Sequence, residues 1–254
     1  MTKVSAWGAQ SADAPLAPLT VERRALGAKD VAIDILFCGV CHSDLHYTRN
    51  EWGGTTYPAV PGHEIVGRIV ACGAAVKGRS VGQRVGVGWY TASCTHCGSC
   101  IGGDQHLCRS AEQTIVGRHG GFAERVRAHA PWAIPLPDAI AAEAAGPLFC
   151  GGITVFSPIV EFGIRPTDRV AVVGIGGLGH LAVQFLSHWG CEVTALTSST
   201  AKRDEALAHR AHLGRPRAGA RFQRRRQLAV RACARQCARG QRPVDGRPEA
   251  VPRS

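Results

Sequence analysis

The sequence predicts an α/β plus β fold, with a first domain that is nearly all β and then the opening units of a parallel, doubly wound α/β domain. Three observations carry this. Runs rich in Val and Ile, separated by Gly-rich turns, fill the stretch from Val31 to Val87. From Asp168 to Gly190 an apolar run, a glycine-rich turn and a helical pattern follow one another. Between them, Cys94 to Cys108 is so poor in apolar residues that burial cannot hold it together, and its cysteines must do so.

Taken in order, "VAIDILF" (Val31 to Phe37) reads as a strand ending in the turn-like "CGVCHSD", and "EIVGRIVACG" and "VGQRVGV" read as further strands. After "AIPLPD" the pattern changes, and residues 141–163 are helical in composition. "DRVAVVG" is a short apolar strand, "GLGHLAVQFLSHWG" a helix of about three turns closed by glycine, and "CEVTAL" a second strand, which makes β-α-β. From about His209 the periodicity disappears into Arg, Ala, Gly and Pro, and no third strand is expected. The domain reading is therefore 1–152, 153–208 and an Arg-rich tail at 209–254, expected to be non-native or disordered.

The formal net charge of +11 belongs to that tail. Residues 209–254 hold 13 Arg against one Asp and one Glu, while the rest balances at 17 basic and 17 acidic residues. The body therefore carries no field that would steer acidic partners, and nucleic acid is not expected as one. The N-terminus lacks an apolar run behind a basic start, and 18 apolar residues never occur in succession, so a cytoplasmic protein without a membrane span is expected. Eleven cysteines in such a chain point to metal ligands or buried residues and not to disulfides.

The local motifs are two. Cys94, Cys97, Cys100 and Cys108 stand as C-x2-C-x2-C-x7-C, a spacing that lets four thiolates converge on one tetrahedral ion with no open position, as in a structural zinc site. His96 and His106 inside this lobe are read as exposed loop residues. Gly174, Gly176 and Gly179 form G-x-G-x-x-G between strand and helix, where Gly177 and Leu178 complete a turn suited to a dinucleotide pyrophosphate. Beyond the next strand no acid follows Leu196; Thr197, Ser198, Ser199, Lys202 and Arg203 offer hydroxyls and cations that suit a 2′-phosphate, so NADP(H) is the expected cofactor.

Three weaker stretches, "CGVCHSDLH", "YPAVPGHE" and "PLFCGG", gain meaning only in this order with the other two motifs. Together they resemble the zinc-dependent medium-chain alcohol dehydrogenases, most of all the branch of cinnamyl alcohol dehydrogenase and the bacterial aldehyde reductases, over about residues 20–208. The resemblance implies a GroES-like β domain followed by a Rossmann domain, here partial. It implies one catalytic and one structural Zn2+, with Cys41, His63 and Cys150 as the catalytic ligands and Glu64 as a nearby carboxylate. It further implies Ser43 and His46 as a proton relay, and His42 and Thr154 as cofactor contacts. Cys38, Cys72 and Cys191 have no such role and read as small buried residues, and Trp52 and Trp89 read as core aromatics with pocket lining as the alternative.

The function expected on this basis is hydride transfer between a primary alcohol or aldehyde and NADP(H), impaired in this chain because the later strands of the cofactor domain are not found. Homodimers are a family property not expected of such a chain. The competing readings are a non-catalytic zinc-binding remnant or interaction protein with a basic tail, and zinc-free quinone reductase chemistry, which the ligand cysteines disfavour. The tail itself is read as translation out of frame in a GC-rich gene, with a nucleic-acid-binding arm as the rival; Cys233 and Cys237 make no metal site.

Overall fold

The computed structural model describes residues 1–198, 200–209 and 211–214. Ser199, Cys233, Cys237 and the tail readings from residue 215 onward lie outside the described residues. The chain divides into two compact units, Met1–Ile153 and one that begins at Thr154.

The first unit opens with an antiparallel hairpin of β1 (Thr2–Gly8) and β2 (Ala17–Arg23), in register from Thr2↔Arg23 to Gly8↔Ala17. Val4 and Ala6 alternate inward along β1 and meet Val21 and Val60. Next come β3 (Asp30–Gly39) and α1 (His42–Thr48). Strands β4 (Glu64–Cys72) and β5 (Arg84–Val87) follow, then β6 (Tyr90–Ala92), α2 (Gly98–Ile101) and β7 (Glu112–Gln113). Finally β8 (Arg125–His129), β9 (Ile134–Pro135) and the short α3 (Ala142–Ala145) lead into α4 (Gly151–Glu161). A five-stranded sheet in the order β8-β3-β4-β5-β9 carries the core, and β6 pairs with β7. The apolar faces of Val31, Ile33, Ile65, Ile69, Val85, Val87 and Val126 close on one another with essentially no exposure, which is where hydrophobic burial stabilises this unit.

Three features differ from the sequence reading. The N-terminal hairpin was not expected, although its alternation is written in "TKVSAWG". The "CGVCHSD" stretch is not a turn throughout: a helix starts at His42, with Cys41 as an extended N-cap and Asp44 as the reciprocal residue of a capping box in which sulfur replaces the usual hydroxyl. The helical stretch 141–163 is broken by a 3-10 turn at Gly146–Phe149, and Cys150 sits in the break with φ −125° and ψ −81° before α4 resumes. Pro147, with its fixed φ, and Gly146 beside it account for the interruption.

In the second unit β10 (Arg169–Val173), α5 (Gly177–Trp189), β11 (Glu192–Leu196), α6 (Arg203–Ala208) and β12 (His212–Gly214) follow one another. The three strands are parallel in the order β10-β11-β12. Its core joins Val172 and Ile175 to Val183, Leu186, Val193 and Ala195, with Val155 and Ile159 of α4 against them. Strand β12 corrects the expectation that no third strand follows. It is three residues long and paired as Thr194↔His212 to Leu196↔Gly214, so main-chain register and not an apolar run defines it. Among the described residues no single helix is long and apolar enough to cross a membrane.

Candidate metal centre and nucleotide cradle

Cys41 at the N-cap of α1, His63 and Glu64 at the entry to β4, and Cys150 in the break before α4 meet at one point of the first unit. One ligand atom from each lies within 4.8 Å of the others. The sulfurs of Cys41 and Cys150 are 3.7 Å apart, and His63 Nε2 is 3.2 Å from Cys150 Sγ. His63 has no exposed surface and Glu64 is 5 % exposed.

The electrostatics follow from that crowding. The Cys150 thiol donates to Cys41 and holds its thiolate at about 3 against the opposing effect of burial, with His63 assisting. Cys150 is pushed upward for the same reason, since the pair keeps one proton. Burial works to lower His63, but the Asp44 carboxylate and the Cys41 sulfur outweigh it and hold the imidazole at about 9. Burial, followed by the Cys41 charge, lifts Glu64 to about 7. Two sulfurs this close cannot both be thiolates unless a cation lies between them. Two half-buried thiols, whose thiolates would repel each other and the Glu64 carboxylate, together with a buried imidazole are the donor set of a divalent zinc-type ion, and the residues fit one.

Asp44, which the sequence reading did not single out, orients the cluster. Its carboxylate is 2 % exposed and accepts from His63 Nδ1 at 2.9 Å, Gly62 N at 2.7 Å and Cys41 N at 3.1 Å. The bond to Nδ1 turns Nε2 toward the sulfurs, the usual way a carboxylate sets the tautomer of a ligating histidine. The available signal was its place three residues after Cys41, where a helix N-terminus takes an acid. Gly39 leaves room for Glu64: a Cβ there would lie 2.1 Å from Glu64 Oε2.

Ser43 and His46 share α1, both half-buried, and the Ser43 backbone N–H points at the Cys41 sulfur. His46 Nδ1 hydrogen-bonds Glu51 Oε2, a partner the sequence reading also missed. The His46 ring lies 4.6 Å from that of His42, which is exposed, and 5.5 Å from Trp52. Trp89 packs edge-on against His63 at 4.9 Å and lies 6.1 Å from Trp52, so Trp89 borders the cluster and Trp52 stands between it and His46.

The four sulfurs of Cys94, Cys97, Cys100 and Cys108 form the other cluster, again within 4.8 Å of one another. Cys100 belongs to α2, and a 3-10 turn at Gln105–Leu107 returns the chain to Cys108. Backbone N–H groups of Cys97 and Cys94 point at the sulfurs of Cys94 and Cys108 at 3.3 and 3.4 Å. Backbone donors, His96 N first, draw Cys94 down to about 6. His96 and His106 are exposed and outside the sulfur set. Of the remaining thiols, Cys191 is buried and Cys38 and Cys72 are half-buried.

In the second unit the glycine motif bends around the N-terminus of α5. Gly174 has φ +88°, Gly176 is the N-cap and Gly177 the first helical residue, and a Cβ on any of them would meet nothing within 4 Å. Gly179 differs, because a Cβ there would fall 1.9 Å from the Gly174 carbonyl oxygen. Three glycines thus leave an open cradle beside free helical N–H groups and the fourth lets it close, which fits a pyrophosphate. Leu178 is exposed on the first turn. Past β11, Thr197 is half-buried and Ser198 exposed, Lys202 ends a 3-10 turn and Arg203 begins α6, exposed. Thr154 is half-buried in α4.

Comparison with known proteins places this geometry. Residues 27–138 match the family described as Alcohol dehydrogenase GroES-like domain. The chain is 54% identical over 209 residues to "Aldehyde reductase AdhA" of Synechocystis sp., covering 82% of this chain and 62% of that protein. It is 44% identical over 202 residues to "Cinnamyl alcohol dehydrogenase 7" of Arabidopsis thaliana, covering 76% of this chain and 56% of that protein. The chain belongs to the medium-chain alcohol dehydrogenases. As a medium-chain alcohol dehydrogenase it also superposes on cinnamyl alcohol dehydrogenase SbCAD4 of Sorghum bicolor, with TM-score 0.79 and 37% identity over 84% of this chain and 63% of that one. The Helicobacter pylori CAD structure, complexed with NADP(H), gives TM-score 0.80 and 31% identity over 84% and 64%. The chain spans less than two thirds of the length of these relatives.

Proposed function

We propose that this medium-chain alcohol dehydrogenase is an NADP(H)-dependent oxidoreductase that interconverts a primary alcohol and its aldehyde, with a catalytic zinc in the open cluster and a structural zinc in the four-cysteine lobe. The observation that carries the reading is the convergence within 4.8 Å of the buried His63 and Glu64 with the half-buried Cys41 and Cys150. Cys41, His63 and Cys150 would hold the catalytic ion, and Glu64 stands beside them. A zinc ion bound there supplies Lewis-acid polarisation of the substrate oxygen.

The remaining chemistry belongs to the chain's own side chains. Asp44 keeps His63 in the tautomer that presents Nε2, and Trp52 and Trp89 exclude water and offer apolar surface to the substrate. Ser43 takes the alcohol proton and passes it to His46, whose Nδ1 rests against Glu51, and thence to solvent; in reduction the proton returns by the same route. Gly174, Gly176, Gly177, Leu178 and Gly179 bind the pyrophosphate, with His42 and Thr154 as further cofactor contacts. Thr197, Ser198, Ser199, Lys202 and Arg203 select the 2′-phosphate, supported by the lack of any acid between Leu196 and Lys202. We place the protein in the cytoplasm, where thiolate ligands stay reduced.

Zinc analysis beside a fluorescence titration with NADPH tests this reading. Two zinc equivalents per chain and saturable NADPH binding are expected. At most one equivalent, held by the four cysteines alone, would remove the enzyme assignment.

A further inference from the structure

Arg23 at the end of β2 and Arg127 in β8 are buried, 6 % and 7 % exposed, and neither belongs to a metal cluster. Val126 and Ala128 enter the apolar core, so Arg127 between them faces the opposite side of the sheet. Thr2 joins the two arginines: it is the cross-strand partner of Arg23, and its hydroxyl is 3.5 Å from Arg127 Nη2.

The neighbouring acids are already engaged. Asp30 receives Arg24 through both its oxygens and also the Gly27 N–H, and Glu112 accepts from Arg118 at 2.6 Å. Arg118 spends its other donors on Thr91 and on the Arg127 carbonyl. Among the described residues Arg23 donates only to carbonyl oxygens, those of His119 and Gly120. Buried and without a hydrogen-bond partner among the described residues are, in this region, Arg23 Nε, Arg127 Nε, Arg127 Nη1 and His119 Nδ1. Burial, then the charges of Arg118 and Arg127, lower the Arg23 guanidinium to about 10. A guanidinium does not give up its proton near neutrality, so buried cations of this kind require a counter-charge.

We propose that Arg23 and Arg127 hold a small oxoanion of the sulfate or phosphate class, which accepts the unpaired N–H groups and ties the β1–β2 hairpin to the five-stranded sheet. Guanidinium forks match such oxygens in spacing and charge. An oxoanion bound there stabilises the fold by mass action without entering the reaction.

The test uses the full zinc-loaded chain. Thermal unfolding is followed in rising sulfate, then in rising phosphate, at an ionic strength held constant with chloride. A saturable rise in midpoint is expected, on the order of 5 °C once the anion stands at about 100 times its Kd. Arg127→Met should abolish the rise. Equilibrium dialysis with labelled sulfate should retain one equivalent more in the wild type than in Arg127→Met, a difference to which the arginine tail common to both does not contribute. Should Arg127→Met fail to fold, Arg23→Lys keeps the charge and removes the Nε donor, and at least tenfold weaker sulfate binding is expected. An unsaturable rise shared by wild type and variants, or equal sulfate retention in all of them, would overturn the proposal and leave water as the occupant.

Discussion

Cys94 and Cys108 are 14 positions apart, whereas Cys41 and Cys150, whose sulfurs lie equally close to their own neighbours, are 109 apart. The lobe draws all its donors from one short loop whose large apolar residues, Ile101 and Leu107, are exposed. The other cluster needs the N-cap of α1, the entry to β4 and a helix break near residue 150 to arrive together, and its imidazole is wholly buried. A local chelate can form with little help from the rest of the fold, while a distributed one reports that the fold is complete. Burial then gives the distributed cluster its chemistry, because His63, Glu64 and Asp44 act on one another with little solvent between them.

The sharpest way to break this comparison is to remove one sulfur from each side. Cys150→Ala is expected to lose the distributed ion, with affinity down by more than roughly 100-fold, and to keep the lobe's ion; Cys97→Ala should do the reverse. Metal analysis of the two variants decides, and loss of both ions from either one would mean that the clusters are not independent. A smaller effect is expected from Asp44→Asn, which touches no ion but releases the His63 ring. Competition with a chromophoric chelator should show zinc binding about 10–100-fold weaker at the distributed cluster and unchanged at the lobe.

Gly39→Ala acts on Glu64 alone. The added methyl group meets Glu64 Oε2, and denaturant unfolding should show a loss of about 1–3 kcal/mol with zinc retained in the lobe. The smallest effect belongs to the lobe itself. Thr95 has φ +67°, costly for a β-branched residue, and Thr95→Gly should slow chelator stripping of that ion by no more than about fivefold, some 1 kcal/mol.

The same contrast explains what could be read from residues alone. Strand β10, helix α5 and strand β11 each announce themselves through an apolar run, a 3.6-residue period and a closing glycine, Gly190 with φ +106°. Strand β12 does not, because "HLG" at a parallel edge is held by main-chain bonds to β11 and needs no distinctive side chains. The start of α1 was hidden by a cysteine in a capping position that Ser or Thr usually fills. Asp44 and Glu51 belong to no recognisable motif, and only their contacts with His63 and His46 make them significant. The solitary charges of Arg23 and Arg127 are equally silent in a body whose acids and bases balance.

Sequence by itself determined the lobe's ligand spacing, the glycine turn, the succession of a β domain and an α/β domain, and the order of motifs that reveals the family. These depend on interactions between residues a few positions apart, which backbone geometry settles locally. Tertiary structure alone decided that Cys41, His63, Glu64 and Cys150 share one point, that Asp44 aims the imidazole, and that two arginines are buried without an ion-pair partner among the described residues. Each of those outcomes requires segments tens of residues apart to be brought together at an entropic cost that the packed core of the first unit offsets.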